Sequence, residues 1–191
     1  MKHQFSSKII WIFGILILGL VAVNALLLQQ NLQMRTQLSK SQPQKLEIGD
    51  KVPSFVAKDL TDKTVNVEFS HNSEKRFLLY FTPTCPYCKQ QFPEWKELIS
   101  QVRGKNIEVI GIVSENEKKE EIEKYLNTFD CGINSETSLQ VLFVPNETLQ
   151  NYKLNLTPTT ILLSDDGKVE QNWIGKWKGT DKILAFNLLN N

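Results

Sequence analysis

Two cysteines, Cys85 and Cys88, enclose Pro86 and Tyr87, and this is the segment of the chain best suited to chemistry. A thiolate is both nucleophile and metal ligand, so two thiols at this spacing admit three uses. In the first, Cys85 attacks a disulfide and forms a mixed disulfide. Cys88 then attacks Cys85, releases the reduced substrate and leaves a Cys85–Cys88 bridge. The cycle also runs backwards, and spacing does not fix its direction. The second use is structural zinc, which needs two further ligands. Cys131, His3 and His71 are the remaining cysteine and histidines, and no second pair of cysteines at this spacing exists. The third is a structural disulfide, but so tight a loop removes little entropy from the unfolded chain.

The elements around the pair favour exchange. Phe77–Phe81 is an apolar run of strand length, and a helix is expected from Pro86 to about Arg103. Its apolar stripe is Phe92, Trp95, Leu98, Ile99 and Val102. Cys85 then stands at a helix start, where free N–H groups and the positive end of the helix dipole stabilise a thiolate. Pro86 fits the first helical position, where its missing N–H costs nothing. Cys88 is within reach of the Cys85 sulfur.

Further along, residues 46–76 predict a leading hairpin, with alternation at Val65, Val67 and Phe69. Residues 107–113 form a second strongly apolar strand. A helix with a charged, solvated face is expected over residues 117–129, through Ile122, Tyr125, Leu126 and Phe129. The apolar run 139–144 is ambiguous, and residues 146–152 fit a short helix. Residues 159–163 and 169–174 read as a hairpin across Asp165-Asp166-Gly167. Thr180 is the expected cap of a closing helix that ends near Leu189. Strands alternating with helices in this order predict an α/β sandwich around a central mixed sheet.

Ahead of this domain, residues 9–28 are almost wholly apolar, with Asn24 the one strongly polar member. The run is long enough to cross a bilayer core. Lys2 and Lys8 precede it and the first acid is Glu47, so the expected orientation keeps the amino terminus in the cytoplasm. A cleaved signal sequence is the rival, with Val23-Asn24-Ala25 as its cleavage site. Both place the domain outside the cytoplasmic membrane. Residues 29–45 read as a polar linker. The expected division is a signal anchor at 1–28, the linker at 29–45 and a catalytic domain at 46–191.

Of the 22 basic residues, five lie within residues 1–45, which hold none of the 21 acids. The rest of the chain is therefore mildly acidic, which excludes nucleic acid as an expected partner.

Several segments together resemble the thioredoxin-fold family, in its membrane-anchored bacterial branch of cytochrome-c-maturation and related thiol–disulfide proteins. They are Tyr80-Phe81-Thr82-Pro83-Thr84-Cys85-Pro86-Tyr87-Cys88-Lys89, Phe92-Pro93, Thr157-Pro158-Thr159-Thr160 and the Asp166-Gly167-Lys168 turn. The resemblance covers residues 46–190. It implies a three-layer sandwich, catalytic Cys85 and Cys88, and substrate contacts from Pro86, Tyr87, Thr157 and Pro158. It further implies a cis Pro158 and a central helical insertion over residues 104–156. Disulfide-bearing proteins are the implied substrates and a membrane-embedded carrier the implied electron donor. No metal or organic cofactor is required, because the cysteine pair carries the electrons.

The chain departs from that pattern at four places. Thr84 replaces the aromatic residue common before the first cysteine, and Leu79 stands where thioredoxin keeps a buried aspartate. Gln91 occupies a position where several anchored reductases carry glutamate, and glutamine cannot shuttle a proton. The Pro-Tyr dipeptide is glutaredoxin-like. Methylamine-utilisation accessory proteins share the anchor and a Pro-Thr-Cys-Pro segment.

Two other functions compete. A peroxiredoxin-like peroxidase would use Thr82, three before Cys85, but Leu78 replaces the expected proline and no arginine follows Arg103. A non-enzymatic adaptor on the same fold has no use for both cysteines. Cys131 reads as a partly buried small side chain, or as an auxiliary thiol acting on Cys85.

Overall fold

The computed structural model describes residues 7–40, 44–69 and 75–189. His3 and His71, weighed above as zinc ligands, lie outside the described residues. The chain divides into two compact units, residues 1–42 and 43–191.

The first unit is helix α1 (Ser7–Lys40). Residues Trp11–Arg35 are long and apolar enough to cross a membrane, and their side chains are exposed. Asn24 satisfies its amide within the helix, donating to the Leu20 carbonyl at 2.8 Å. A polar side chain with an internal partner is the tolerable kind in an apolar span. Beyond residue 28 the helix continues to Lys40, through residues that read as linker. Gln, Leu, Met and Arg are good helix formers, and this stretch contains no glycine or proline before Pro43.

In the second unit, β1 (Phe55–Asp59) and β2 (Thr64–Val67) form the leading hairpin. The Asp59 carboxylate holds its turn, accepting from the Thr61 and Lys63 N–H groups at 2.8 and 3.0 Å. Then follow β3 (Lys75–Tyr80), α2 (Pro86–Gln101), β4 (Ile107–Ser114), α3 (Lys119–Thr128) and β5 (Gln140–Val144). The chain closes with α4 (Asn146–Asn151), β6 (Thr159–Leu163), β7 (Val169–Ile174) and α5 (Gly179–Asn187). The seven strands form one mixed sheet in the order β2-β1-β5-β4-β3-β6-β7. The β3–β4 and β4–β5 pairs are parallel, and the others are antiparallel.

Phe77 to Phe81 is continuously apolar because both faces of β3 are covered. Phe77, Leu79 and Phe81 pack with Phe92, Trp95 and Leu98 of α2, Ile122 and Leu126 of α3, and Ala185 of α5. Leu78 and Tyr80 face the opposite layer, with Ile110, Leu142, Ile161 and Tyr152. Tyr152 anchors that side by donating its hydroxyl to the Pro53 carbonyl at 2.6 Å.

Two expectations need correction. Residues 104–156 are not a helical insertion alone, since they contain β4 and β5 as well as α3 and α4. The ambiguous run 139–144 is β5, placed between β4 and β1, where both of its faces are covered. Thr180 does not cap α5. The cap is Lys178, whose N–H donates to the Asp181 carboxylate at 2.8 Å, and Thr180 lies inside the helix. An acid three residues into a helix can serve as that acceptor without a hydroxyl at the cap.

Candidate active site

The parallel strands β3, β4 and β5 end on the same edge of the sheet, at Tyr80, Ser114 and Val144. Crevices outside the carboxyl ends of parallel strands are where α/β sheets place their ligands. The chain leaving β3 makes one more ladder bond, from the Phe81 N–H to the Ile112 carbonyl at 3.2 Å. It then turns through Thr82–Thr84, with the Cys85 N–H donating to the Thr82 carbonyl at 3.2 Å. Cys85 is the N-cap of α2 with extended backbone, and Pro86 holds the first helical position.

The Cys88 N–H donates to the Cys85 sulfur at 3.2 Å. Cys85 Sγ in turn lies 3.5 Å from the Thr157 carbonyl oxygen. The sheet register explains this long-range contact. Tyr80 pairs with Thr159 at the end of the β3–β6 ladder, so the residues just before Thr159 lie opposite those just after Tyr80. The Thr157–Pro158 peptide is cis, and the buried Pro158 carbonyl accepts from the Gly175 N–H at 2.7 Å. Pro86 and Tyr87 are exposed on the turn, Tyr87 by 61%.

The two thiols are electrostatically unlike. Partial burial pushes Cys85 up, but hydrogen bonds from the Cys88 and Thr157 side chains and from the Cys88 and Tyr87 N–H groups outweigh it. The Cys85 thiol is left below its ordinary value. Cys88 has no exposed surface, and burial, followed by the neighbouring Cys85, pushes its thiol up to about 12. One partly exposed, more easily ionised thiol beside one buried, reluctant thiol is an asymmetry that suits a nucleophile and its resolving partner.

The remaining predicted residues are also accounted for. Gln91 is fully buried one turn past Cys88, its carbonyl oxygen accepting from the Trp177 N–H at 2.7 Å. Cys131 is buried and donates to the Phe129 carbonyl at 3.6 Å, and burial holds its thiol above the ordinary value. Among the described residues, no group of three or more His, Cys, Asp or Glu side chains is placed to hold a metal ion. Sequence reasoning overlooked Glu117 and the Tyr80 hydroxyl. Burial, then the Glu117 and Cys88 charges, hold the Tyr80 phenol above its usual range, and burial raises Glu117. No sequence pattern marks either residue, because the loop after β4 reaches the end of β3 only in the folded sheet.

A family model described as the AhpC/TSA family matches residues 48–172. The chain belongs to the AhpC/TSA family. Among its relatives is the thiol-disulfide oxidoreductase ResA of Bacillus cereus, 25% identical over 136 residues, covering 70% of this chain and 73% of that protein. ResA of Bacillus subtilis is 28% identical over 122 residues, covering 63% and 64%. The second unit superposes on the thioredoxin domain of a thiol-disulfide oxidoreductase from Bacteroides vulgatus. The TM-score is 0.60 at 16% identity, over 77% of this chain and all of that one. The fold is thus thioredoxin-like, a seven-stranded mixed sheet between helices, preceded by an apolar helix. These relatives do not favour the peroxidase or adaptor alternatives.

Proposed function

We propose that this chain is a membrane-tethered thiol–disulfide oxidoreductase that reduces disulfides in extracytoplasmic protein substrates. The observation that carries the proposal is the unequal pair: Cys85 partly exposed and more easily ionised at a helix start, Cys88 fully buried. The named activity of the ResA relatives supports the same chemistry.

In this reading the Cys85 thiolate attacks a substrate sulfur and forms the mixed disulfide. The substrate's displaced sulfur leaves as a thiolate and takes up a proton. Cys88 then loses its proton and attacks Cys85, releasing the second substrate thiol. Two electrons pass to the substrate, and the Cys85–Cys88 bridge remains. Pro86, Tyr87, Thr157 and Pro158 form the surface on which extended substrate backbone rests. The Thr157 carbonyl already lies beside the reacting sulfur, 3.5 Å from Cys85 Sγ.

Residues 1–28 serve as the anchor, 29–45 as the connection and 46–191 as the catalytic domain. Lys2 and Lys8 before the apolar run support a cytoplasmic amino terminus. A membrane-embedded carrier of reducing equivalents returns the bridge to the dithiol. Apocytochromes, partner enzymes under maturation and misoxidised proteins in general all present a disulfide suited to this surface.

The test is the reduction potential of the Cys85–Cys88 couple, measured on the full chain in detergent against glutathione or dithiothreitol buffers. A value near about −270 mV supports a reductase that needs a steady electron supply. A value near about −120 mV makes the protein an oxidant and overturns the direction. Absence of a two-electron couple overturns the oxidoreductase function itself.

A further inference from the structure

Tyr125 carries a hydroxyl that the cycle above does not use. Helix α3 places its ring within the apolar layer that also holds the cysteine pair. The ring stacks on Phe81 at 5.5 Å and meets Phe92 edge-on at 5.3 Å. Phe81 begins the turn that leads to Cys85. Phe92 lies four residues after Cys88, on the same face of α2. Phe129 closes the ring from the third side at 5.2 Å.

Only 6% of Tyr125 is exposed, yet its hydroxyl has no hydrogen-bond partner among the described residues. A buried hydroxyl without a partner destabilises the fold, and phenylalanine would fill the same space without that cost. The hydroxyl therefore calls for a role outside the resting packing. After burial, the charges of Cys88 and then Cys85 are what raise the Tyr125 phenol, so its O–H lies in the field of both sulfurs.

Other titratable groups face this layer. Cys85 and Cys88 come from the start of α2 and Cys131 from the segment after α3; Tyr80, which packs in the opposite layer, and Glu117 lie across the end of β3, where Tyr80 still feels the Cys88 charge. Glu121 sits one turn earlier on α3. Among them, Tyr125 is the buried O–H donor without a partner.

We propose that Tyr125 is a positioning residue for the resolving step, its hydroxyl donating to the Cys88 sulfur as that sulfur becomes a thiolate. The inference rests on the thiol–disulfide function proposed above. In the mixed disulfide, Cys85 is neutral and bonded to substrate, so it no longer competes for a donor. Cys88 gives its proton to solvent. The resulting electron pair forms the Cys85–Cys88 bond as the Cys85–substrate bond breaks, and the substrate sulfur leaves as a thiolate that solvent protonates. Tyr125 keeps its proton throughout and changes only the ease with which Cys88 ionises. Burial otherwise opposes that ionisation strongly.

The experiment follows release of thionitrobenzoate from 5,5′-dithiobis(2-nitrobenzoate) by the reduced full chain in detergent, by stopped flow across pH. The first equivalent reports attack by Cys85, the second attack by Cys88 on the mixed disulfide. In Tyr125→Phe the ratio of second-phase to first-phase rate is expected to fall about tenfold, as for a lost hydrogen bond to a charged group. The pH midpoint of the second phase moves up, and the melting temperature holds or rises. An unchanged second phase overturns the proposal. So does equal slowing of both phases with a lowered melting temperature, which marks a structural role only. If the unsubstituted chain shows no two-phase release, it is the oxidoreductase function that fails.

Discussion

Selective alkylation of the reduced protein tests the asymmetry of the two thiols directly. Cys88 has no exposed surface and stands about three pKa units above an ordinary thiol at 9.0, with burial the largest cause. Below pH 9 that difference lowers its thiolate population about a thousandfold relative to an ordinary cysteine, on the order of 4 kcal/mol. Cys85 is shifted the opposite way and is partly exposed, so the gap between the two is wider still. Brief treatment of the reduced full chain with iodoacetamide at pH 7.5 to 8 should therefore modify Cys85 and leave Cys88 unmodified. Both cysteines lie in the tryptic peptide that runs from Phe77 to Lys89, so fragmentation of that one peptide assigns the label. Repeating the reaction in urea should expose Cys88 and bring the two rates together. Comparable labelling of both residues in the native protein, with a common pH midpoint, would refute the reasoning. It would mean that burial does not separate the thiols.

Three further outcomes follow from particular contacts. Cys88→Ala removes the side-chain hydrogen bond to the Cys85 sulfur and keeps the backbone donors, so the midpoint of Cys85 alkylation against pH should rise towards the ordinary value. A midpoint that stays fixed would assign the effect to the Thr157 side chain and the backbone donors. Thr160→Val strands the Trp95 indole N–H, now bonded to the Thr160 hydroxyl at 3.0 Å in the core, and should cost about 1–3 kcal/mol in urea unfolding. Gly167→Ala should destabilise by at least about 1–2 kcal/mol. Gly167 has φ +80°, and a Cβ there would meet Phe69 Cγ at 2.8 Å. Thermal melting checks this, and an unchanged midpoint would show that the 164–168 turn adopts another conformation.

The sequence by itself determined what is local. Strand Lys75–Tyr80, helix Pro86–Gln101 and the hairpin of residues 159–174 are legible because an apolar run, a 3.6-residue stripe and a turn at Gly167 each need only neighbours in the chain. The proposed nucleophile is legible for the same reason, since Cys85, Pro86 and the helix start are contiguous. Tertiary structure decided the rest. Residues 140–144 are a strand because β4 and β1 offer two open edges, and no property of those five residues alone separates that outcome from a buried helix. The Thr157 carbonyl reaches Cys85 through the β3–β6 register, 72 residues away in sequence. The difference between Cys85 and Cys88 likewise belongs to the fold. The two side chains are chemically identical, and only the packing of α2 against the sheet removes water from one and leaves it at the other. Tyr125 makes the same point: in sequence it is one residue of an apolar stripe, and folding leaves its hydroxyl buried without a partner in the layer that holds the two sulfurs.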